Sequence, residues 1–273
     1  MSGRGKIDMR YIDTHSHLHF RQYDEDRDDV LARMREQNVV TIAVGTSVDT
    51  SAGAVALAKE HPELVVGATI GVHPTDTNEG FDAKAYEPFL KEGVVVGVGE
   101  CGLDYFRDNA AEAGKRQREV FEAQIAFAAE YDLPLMLHIR ASAGSTDAHD
   151  EALDMLASWQ KEKGERVRGN AHFFTSTPEI AKRYWDMGFT TAFPGVITFA
   201  AETQEAVKAA PLNMILSETD APYAAPEPYR GKRNEPAYVV EVVKKIVEIR
   251  GGDEEKVSEA LISNARRVFG VAV

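Results

Sequence analysis

The chain has 273 residues, 44% apolar and 27% charged, with 31 lysines and arginines against 44 acids for a formal charge of −13. Its one cysteine, Cys101, excludes an intrachain disulfide and with it a disulfide-stapled secreted scaffold. Charges interrupt every apolar run well short of the ~20 residues of a spanning helix, and the first residues are basic without a following apolar stretch. The expectation is a cytoplasmic protein with no membrane association. An acidic surface repels nucleic acid non-specifically but does not exclude a cationic pocket, because bound metal ions are often the largest charges in a site.

Strand candidates run over residues 9–13, 39–44, 64–70, 94–98, 135–138, 167–171, 189–193 and 214–216. Each is followed by a stretch with apolar residues three and four apart: 26–37, 51–60, 82–91, 115–131, 147–162, 178–187, 203–209 and 235–249. Thr177 before Pro178 reads as an N-cap with proline at the first helical position. A final segment, 254–269, reads as an additional C-terminal helix or helix pair. Apolar strands each followed by a helix mean a parallel sheet covered on both faces. Eight units in this length predict an α/β fold, a single-domain (β/α)8 TIM barrel with its core over about residues 9–270. The alternative, an open doubly wound sheet, calls for a glycine-rich phosphate loop after the first strand. Here that strand runs instead into Asp13-Thr14-His15-Ser16-His17. No linker, repeat or low-complexity tract divides the chain, and nothing marks an obligate protein partner.

In a barrel the catalytic groups stand at the C-terminal strand ends. Those ends carry His15 and His17, then His73, Glu100, His138, Arg140, His172, Glu218 and Asp220. Residues i and i+2 of a strand share a face, so His15 and His17 can reach one ion. Alone, that pair is equally a pair of solvated histidines. Joined to Glu100, His138, His172 and Asp220 it forms a set of four imidazoles and two carboxylates suited to divalent metals. Six ligands exceed the need of one catalytic zinc, so two ions bridged by a carboxylate are the economical reading. Glu100 is the bridging candidate, since Gly99 and Gly102 around it permit close backbone approach. Asp220 serves as ligand and general base, or equally as an Asx turn before Pro222. Glu218 shares its face if the strand continues, or is a structural partner.

The segments Asp13-Thr14-His15-Ser16-His17-Leu18, Gly71-Val72-His73-Pro74, Gly99-Glu100-Cys101-Gly102-Leu103-Asp104-Tyr105, His138-Ile139-Arg140, Ala171-His172-Phe173-Phe174 and Glu218-Thr219-Asp220-Ala221-Pro222-Tyr223 resemble those of the TatD family of metal-dependent deoxyribonucleases. Residues 228–236 and 264–269 are similar to that family too, and the motifs keep family order over nearly the whole chain. The resemblance implies a barrel hydrolase of the amidohydrolase-like superfamily that acts on DNA phosphodiesters with divalent metal. It implies His15, His17, Glu100, His138, His172 and Asp220 as ligands and His73 as a contact to the substrate phosphate. Many related binuclear enzymes bridge their metals with a carboxylated lysine, and Glu100 at that strand end favours the TatD branch. Ser176 stands where the family has glycine, and the Ser/Gly-rich loop 141–149 reads as longer than usual.

On this reading two divalent ions (Mg2+, Zn2+ or Mn2+) activate a shared water and Asp220 accepts its proton. His73 and Arg140 hold phosphate oxygens, although Arg140 reads nearly as well as the partner of an acidic rim residue. Tyr223, Tyr229, Arg230, Lys232 and Arg233 can stack a base and track a backbone, or equally form a solvated charged loop. Alternation turns Cys101 away from Glu100, as a packed residue rather than a nucleophile. The expected activity is exonuclease-like. The competing one is hydrolysis of a carbonyl ester or amide, an aminoacyl-tRNA link among them.

Overall fold

The structure, a computed structural model, describes residues 11–108 and 113–273; Met9 and Arg10 of the first expected strand lie outside them. Eight parallel strands pair in chain order: β1 (Tyr11–Ser16), β2 (Val39–Val44), β3 (Val65–Ile70), β4 (Val95–Asp104), β5 (Leu135–Arg140), β6 (Gly169–Ala171), β7 (Thr190–Phe193) and β8 (Ile215–Ser217). The crossovers hold α1 (Arg27–Glu36), α2 (Val48–Glu60), α3 (Ala83–Leu90), α4 (Gly114–Glu130), α5 (Asp147–Lys163), α6 (Pro178–Asp186) and α7 (Gln204–Ala209). After β8 come α8 (Val239–Arg250) and α9 (Glu254–Phe269). This is the (β/α)8 barrel. Among the described residues no helix is long and apolar enough to cross a membrane.

Local chemistry sets the helix ends. Thr177 caps α6, its hydroxyl accepting from Ile180 N, with Pro178 in the first turn. Ser47 and Thr50 form a reciprocal capping box on α2. Asp253 caps α9, and Gly270 ends it in the left-handed conformation that glycine adopts without a Cβ clash.

Alternation along the strands separates two apolar layers. Ile12, Val40, Ile42, Val44, Met136, Ala192 and Leu216 fill the barrel interior together with Ile262, Ala265, Val268 and Phe269 of α9. Burying each such side chain contributes roughly 1.5–3 kcal/mol, so α9 acts as a plug. Asn264 fastens it, donating to the carbonyls of Leu212 and Ile215 at the start of β8. The second layer lies between strands and helices, and Cys101 is fully buried within it, away from the site as alternation requires.

The seam between β1 and β8 is closed by hydrogen bonds from side chains and loop backbone. Thr14 Oγ1 donates to Ser217 O, Ser217 Oγ to Ile12 O, and His17 N to Ala221 O at 2.7 Å. Asp13 carries the most. Its carboxylate accepts from His15 N, Thr219 N, Thr219 Oγ1 and Thr41 Oγ1 at 2.7–3.2 Å, wholly buried.

Two sequence expectations need correction, the end of β4 and the extent of the loop after β5. Strand β4 does not stop at residue 98 but runs on through Glu100 to Asp104. Gly99 and Gly102 allow this, because a Cβ at either would collide with the carbonyl oxygens of Met136 and His138 on β5. The loop after β5 is short, because α5 begins at Asp147, where the Asp147 carboxylate accepts from Ser142 N and Ala148 N. His149 therefore lies inside a helix, 6% exposed, with Nδ1 3.1 Å from the Tyr184 hydroxyl and its ring against Phe174.

Replacement of His149 is expected to bear on stability. Burial pushes its pKa down to about 4; Arg183 also lowers it, while Asp147 and Asp150 pull the other way. The unfolded chain titrates near 6.5, so it binds the proton first. Stability contributed by neutral His149 is complete above pH ~6.5, falls as pH drops toward about 4, and is flat below. The loss amounts to roughly 3 kcal/mol. Denaturant unfolding at pH 7 and pH 4.5 should show a smaller acid loss for His149→Leu than for the parent; equal losses would refute this.

Candidate metal centre

Glu100, from β4, stands at the centre of the barrel mouth and is 3% exposed. One oxygen, Oε2, lies 3.4 Å from His15 Nε2 and 3.6 Å from His17 Nε2, both brought by the end of β1. The other, Oε1, lies 2.7 Å from His138 Nδ1 on β5 and 3.0 Å from His172 Nε2 after β6. Asp220, beyond β8, places Oδ1 3.4 Å from His17 Nε2 and 3.7 Å from His15 Nε2. The structure brings all six expected ligands together, with one oxygen of Glu100 on each histidine pair. Asp220 does not form the alternative Asx turn. Its backbone is left-handed (φ 56°), which aspartate tolerates, and its carboxylate faces the imidazoles.

The outer nitrogens explain the inner ones. His17 Nδ1 donates to Val44 O at 2.7 Å, His138 Nε2 to Asp104 Oδ2 at 3.0 Å, and His172 Nδ1 to Glu218 Oε1 at 3.2 Å. Each ring spends its N–H outward, so in the neutral form a lone pair points at a carboxylate oxygen. Lone pairs facing anionic oxygens need positive charge between them. Without a metal, protons supply it. Burial lowers the pKa of His17, His138 and His172, but their acidic neighbours outweigh this and hold all three above the ordinary histidine value. Burial likewise raises Glu100, yet His172 and the other imidazoles hold it well below the carboxylate range. His15 stacks on His172 at 3.7 Å, and its Nδ1 is buried with no partner among the described residues. Imidazole lone pairs backed by carbonyl and carboxylate acceptors are the pattern that orients histidines on metal ions. The donor set therefore fits divalent cations.

His73 differs. Thr75 N donates to its Nδ1 at 3.2 Å, which puts the proton on Nε2. That N–H points inward, 3.6 Å from Glu100 Oε1 and 3.3 Å from His138 Nδ1. Although His73 clusters with Glu100 and His138, in this tautomer its inward atom is a donor and offers no lone pair to an ion.

Over residues 12–270 the chain matches the family model described as TatD related DNase. The chain belongs to the TatD family. It is 36% identical over 267 residues to the metal-dependent hydrolase YabD of Bacillus subtilis, covering 95% of this chain and 99% of that one. It is 32% identical over 261 residues to the 3'-5' ssDNA/RNA exonuclease TatD of Pectobacterium parmentieri, covering 92% and 96%. Among solved structures, the TatD homologue YJJV of Escherichia coli superposes with a TM-score of 0.86 at 29% identity, over 97% of this chain and 99% of that one. The protein is a metal-dependent hydrolase.

Above the TatD-family centre opens a cavity of about 780 Å3, walled by Arg107, Arg140, Asp76, Phe173 and Tyr223 besides the histidines. Arg140 pairs with no acidic rim residue among the described residues; its guanidinium carbon lies 3.9 Å from the Phe106 ring centroid. Tyr229 and Arg230 do not line the cavity. Tyr229 stacks on Tyr238 at 3.7 Å, and Arg230 lies over Phe199 at 3.5 Å. Arg233 is drawn into an ion pair with Asp26. Sequence reasoning left Glu218 open: it is the outer partner of His172 and also accepts from Phe173 N at 2.5 Å. It missed the role of Asp104, which holds His138 while accepting from Phe106 N and Arg107 N.

Proposed function

We propose that this TatD-family hydrolase cleaves phosphodiester bonds at the ends of single-stranded nucleic acid, DNA foremost. The observation that carries the reading is the inward N–H of His73, fixed by Thr75 and set beside Glu100, with Arg107 in the same wall. A hydrogen-bond donor beside a guanidinium group suits an anionic, multi-oxygen group better than an uncharged ester. The name of the Pectobacterium relative, a 3'-5' ssDNA/RNA exonuclease, points the same way.

Divalent cations would be held by His15, His17 and Asp220 on one side and by His138 and His172 on the other, with Glu100 within reach of both. When bound, such ions polarise phosphoryl oxygens and make water acidic. The chain supplies the rest. The Asp220 carboxylate would accept the proton of the attacking water. His73 Nε2–H holds a non-bridging phosphate oxygen. Glu218 and Asp104 keep His172 and His138 turned inward through Nδ1 and Nε2.

The test uses protein stripped with chelator and reloaded with Mn2+, Mg2+ or Zn2+. With 5'- and 3'-labelled oligonucleotides it should release mononucleotides from one end. Turnover of carbonyl esters or aminoacyl-tRNA without any oligonucleotide shortening would overturn the reading.

A further inference from the structure

The cavity floor is polar and buried, but its mouth carries apolar surface that hydrolysis does not use. Phe106 is 53% and Tyr223 49% exposed, the two most open of the four large apolar side chains left exposed among the described residues. Tyr223 belongs to the cavity wall, and Phe106 stands just outside it. Tyr223 meets the His17 ring edge-on at 6.2 Å. Phe106 lies beneath Arg140, which ends β5 and itself lines the cavity. Among the described residues the Arg140 guanidinium makes no ion pair and no hydrogen bond, so the Phe106 ring alone backs it. A cation that only cleared phosphate into the centre would need no exposed phenylalanine beneath it. A planar guanidinium on an aromatic ring is a stacking surface, and single-stranded nucleic acid is gripped by such surfaces. The cavity, about 780 Å3, has room for more than a phosphate group. The surface charge of −13 offers a polyanion little general attraction, so affinity has to come from local contacts such as these.

We propose that Arg140, backed by Phe106, stacks the nucleobase of the chain end entering the cavity, with Tyr223 giving a second aromatic contact. The inference rests on the phosphodiester reading and narrows it. The residue being cut must carry a planar base, and a sugar phosphate without one is a poor substrate.

The test compares two short single strands on metal-loaded protein, one with a terminal nucleotide and one with a terminal abasic tetrahydrofuran. The parent should prefer the base-bearing end in kcat/KM by about 5- to 100-fold, the range of a single stack. Phe106→Ala and Arg140→Lys should bring that ratio close to one. Arg140→Lys keeps the charge and loses the plane. Phe106 is half exposed and Arg140 partly so, so neither change threatens folding. A turnover-free readout is the fluorescence of 2-aminopurine nucleoside monophosphate, which stacking quenches; quenching should fall in both variants. A parental ratio near one overturns the proposal. So does an Arg140→Lys that slows both substrates alike while Phe106→Ala slows neither, the mark of a phosphate contact. If the parent cuts no phosphodiester but quenches the base in a Phe106-dependent way, the phosphodiester reading falls and the stacking surface stands. No quenching by the parent overturns the stacking surface itself.

Discussion

Glu100→Gln is expected to lower turnover at least roughly 10³-fold, beyond the 10- to 100-fold typical of residues that merely orient a metal ligand. The carboxylate gives one oxygen to His15 and His17 and the other to His138 and His172. An amide has the same shape but one oxygen, no charge, and an NH2 group in place of the other. One histidine pair loses its anionic neighbour, whichever way the amide turns. Surrounding imidazoles hold Glu100 ionised at neutral pH, so the change removes a full charge. The fold should survive, because Glu100 packs by its position between Gly99 and Gly102 and its contacts are with the other site side chains. Turnover, metal content by mass spectrometry and circular dichroism check the three parts of the expectation. A folded Gln variant with parental activity would refute the central role of this carboxylate.

Asp13→Ala should cost about 3–5 kcal/mol and lower the unfolding midpoint by roughly 10 °C, because four donors aimed at one buried carboxylate lose their acceptor together. Two of them belong to Thr219 beside Asp220 and one to His15, so the damage is not confined to stability. Release of Thr219 frees Asp220 from its register with His17. Activity should therefore fall alongside the midpoint, and Asp13→Asn, which keeps an acceptor, should fall between. Thermal unfolding at neutral pH decides the matter: an alanine variant melting within a degree of the parent would show that the seam does not depend on Asp13.

Much of this arrangement was legible in the chain. Apolar runs ending in His, Glu or Asp could be placed because a parallel barrel puts all strand ends at one mouth. The partners behind those residues were not legible. His17 meets Val44, His138 meets Asp104 and His172 meets Glu218. Barrel register creates these pairs, not local spacing. Asp104 was obscured further because Gly99 and Gly102 break the apolar alternation, so β4 read as ending at residue 98 although it continues through them. Residues 147–149 fitted both the Ser/Gly-rich loop 141–149 and the helical stretch 147–162; the helix takes them, with Thr146 at its N-cap position. Tyr229 and Arg230 read as substrate groups by composition, yet Tyr238 and Phe199, supplied by other parts of the chain, engage both.

The seam between the first and last strands has one more consequence. His15 and His17 end the first strand of the barrel and Asp220 follows the eighth, so the three meet only across this joint. Slackening the seam hydrogen bonds would separate Asp220 from that histidine pair, whereas Glu100, His138 and His172 come from neighbouring strands β4 to β6 and would stay together. Fraying at this joint would therefore loosen one half of the cluster and leave the other half in place.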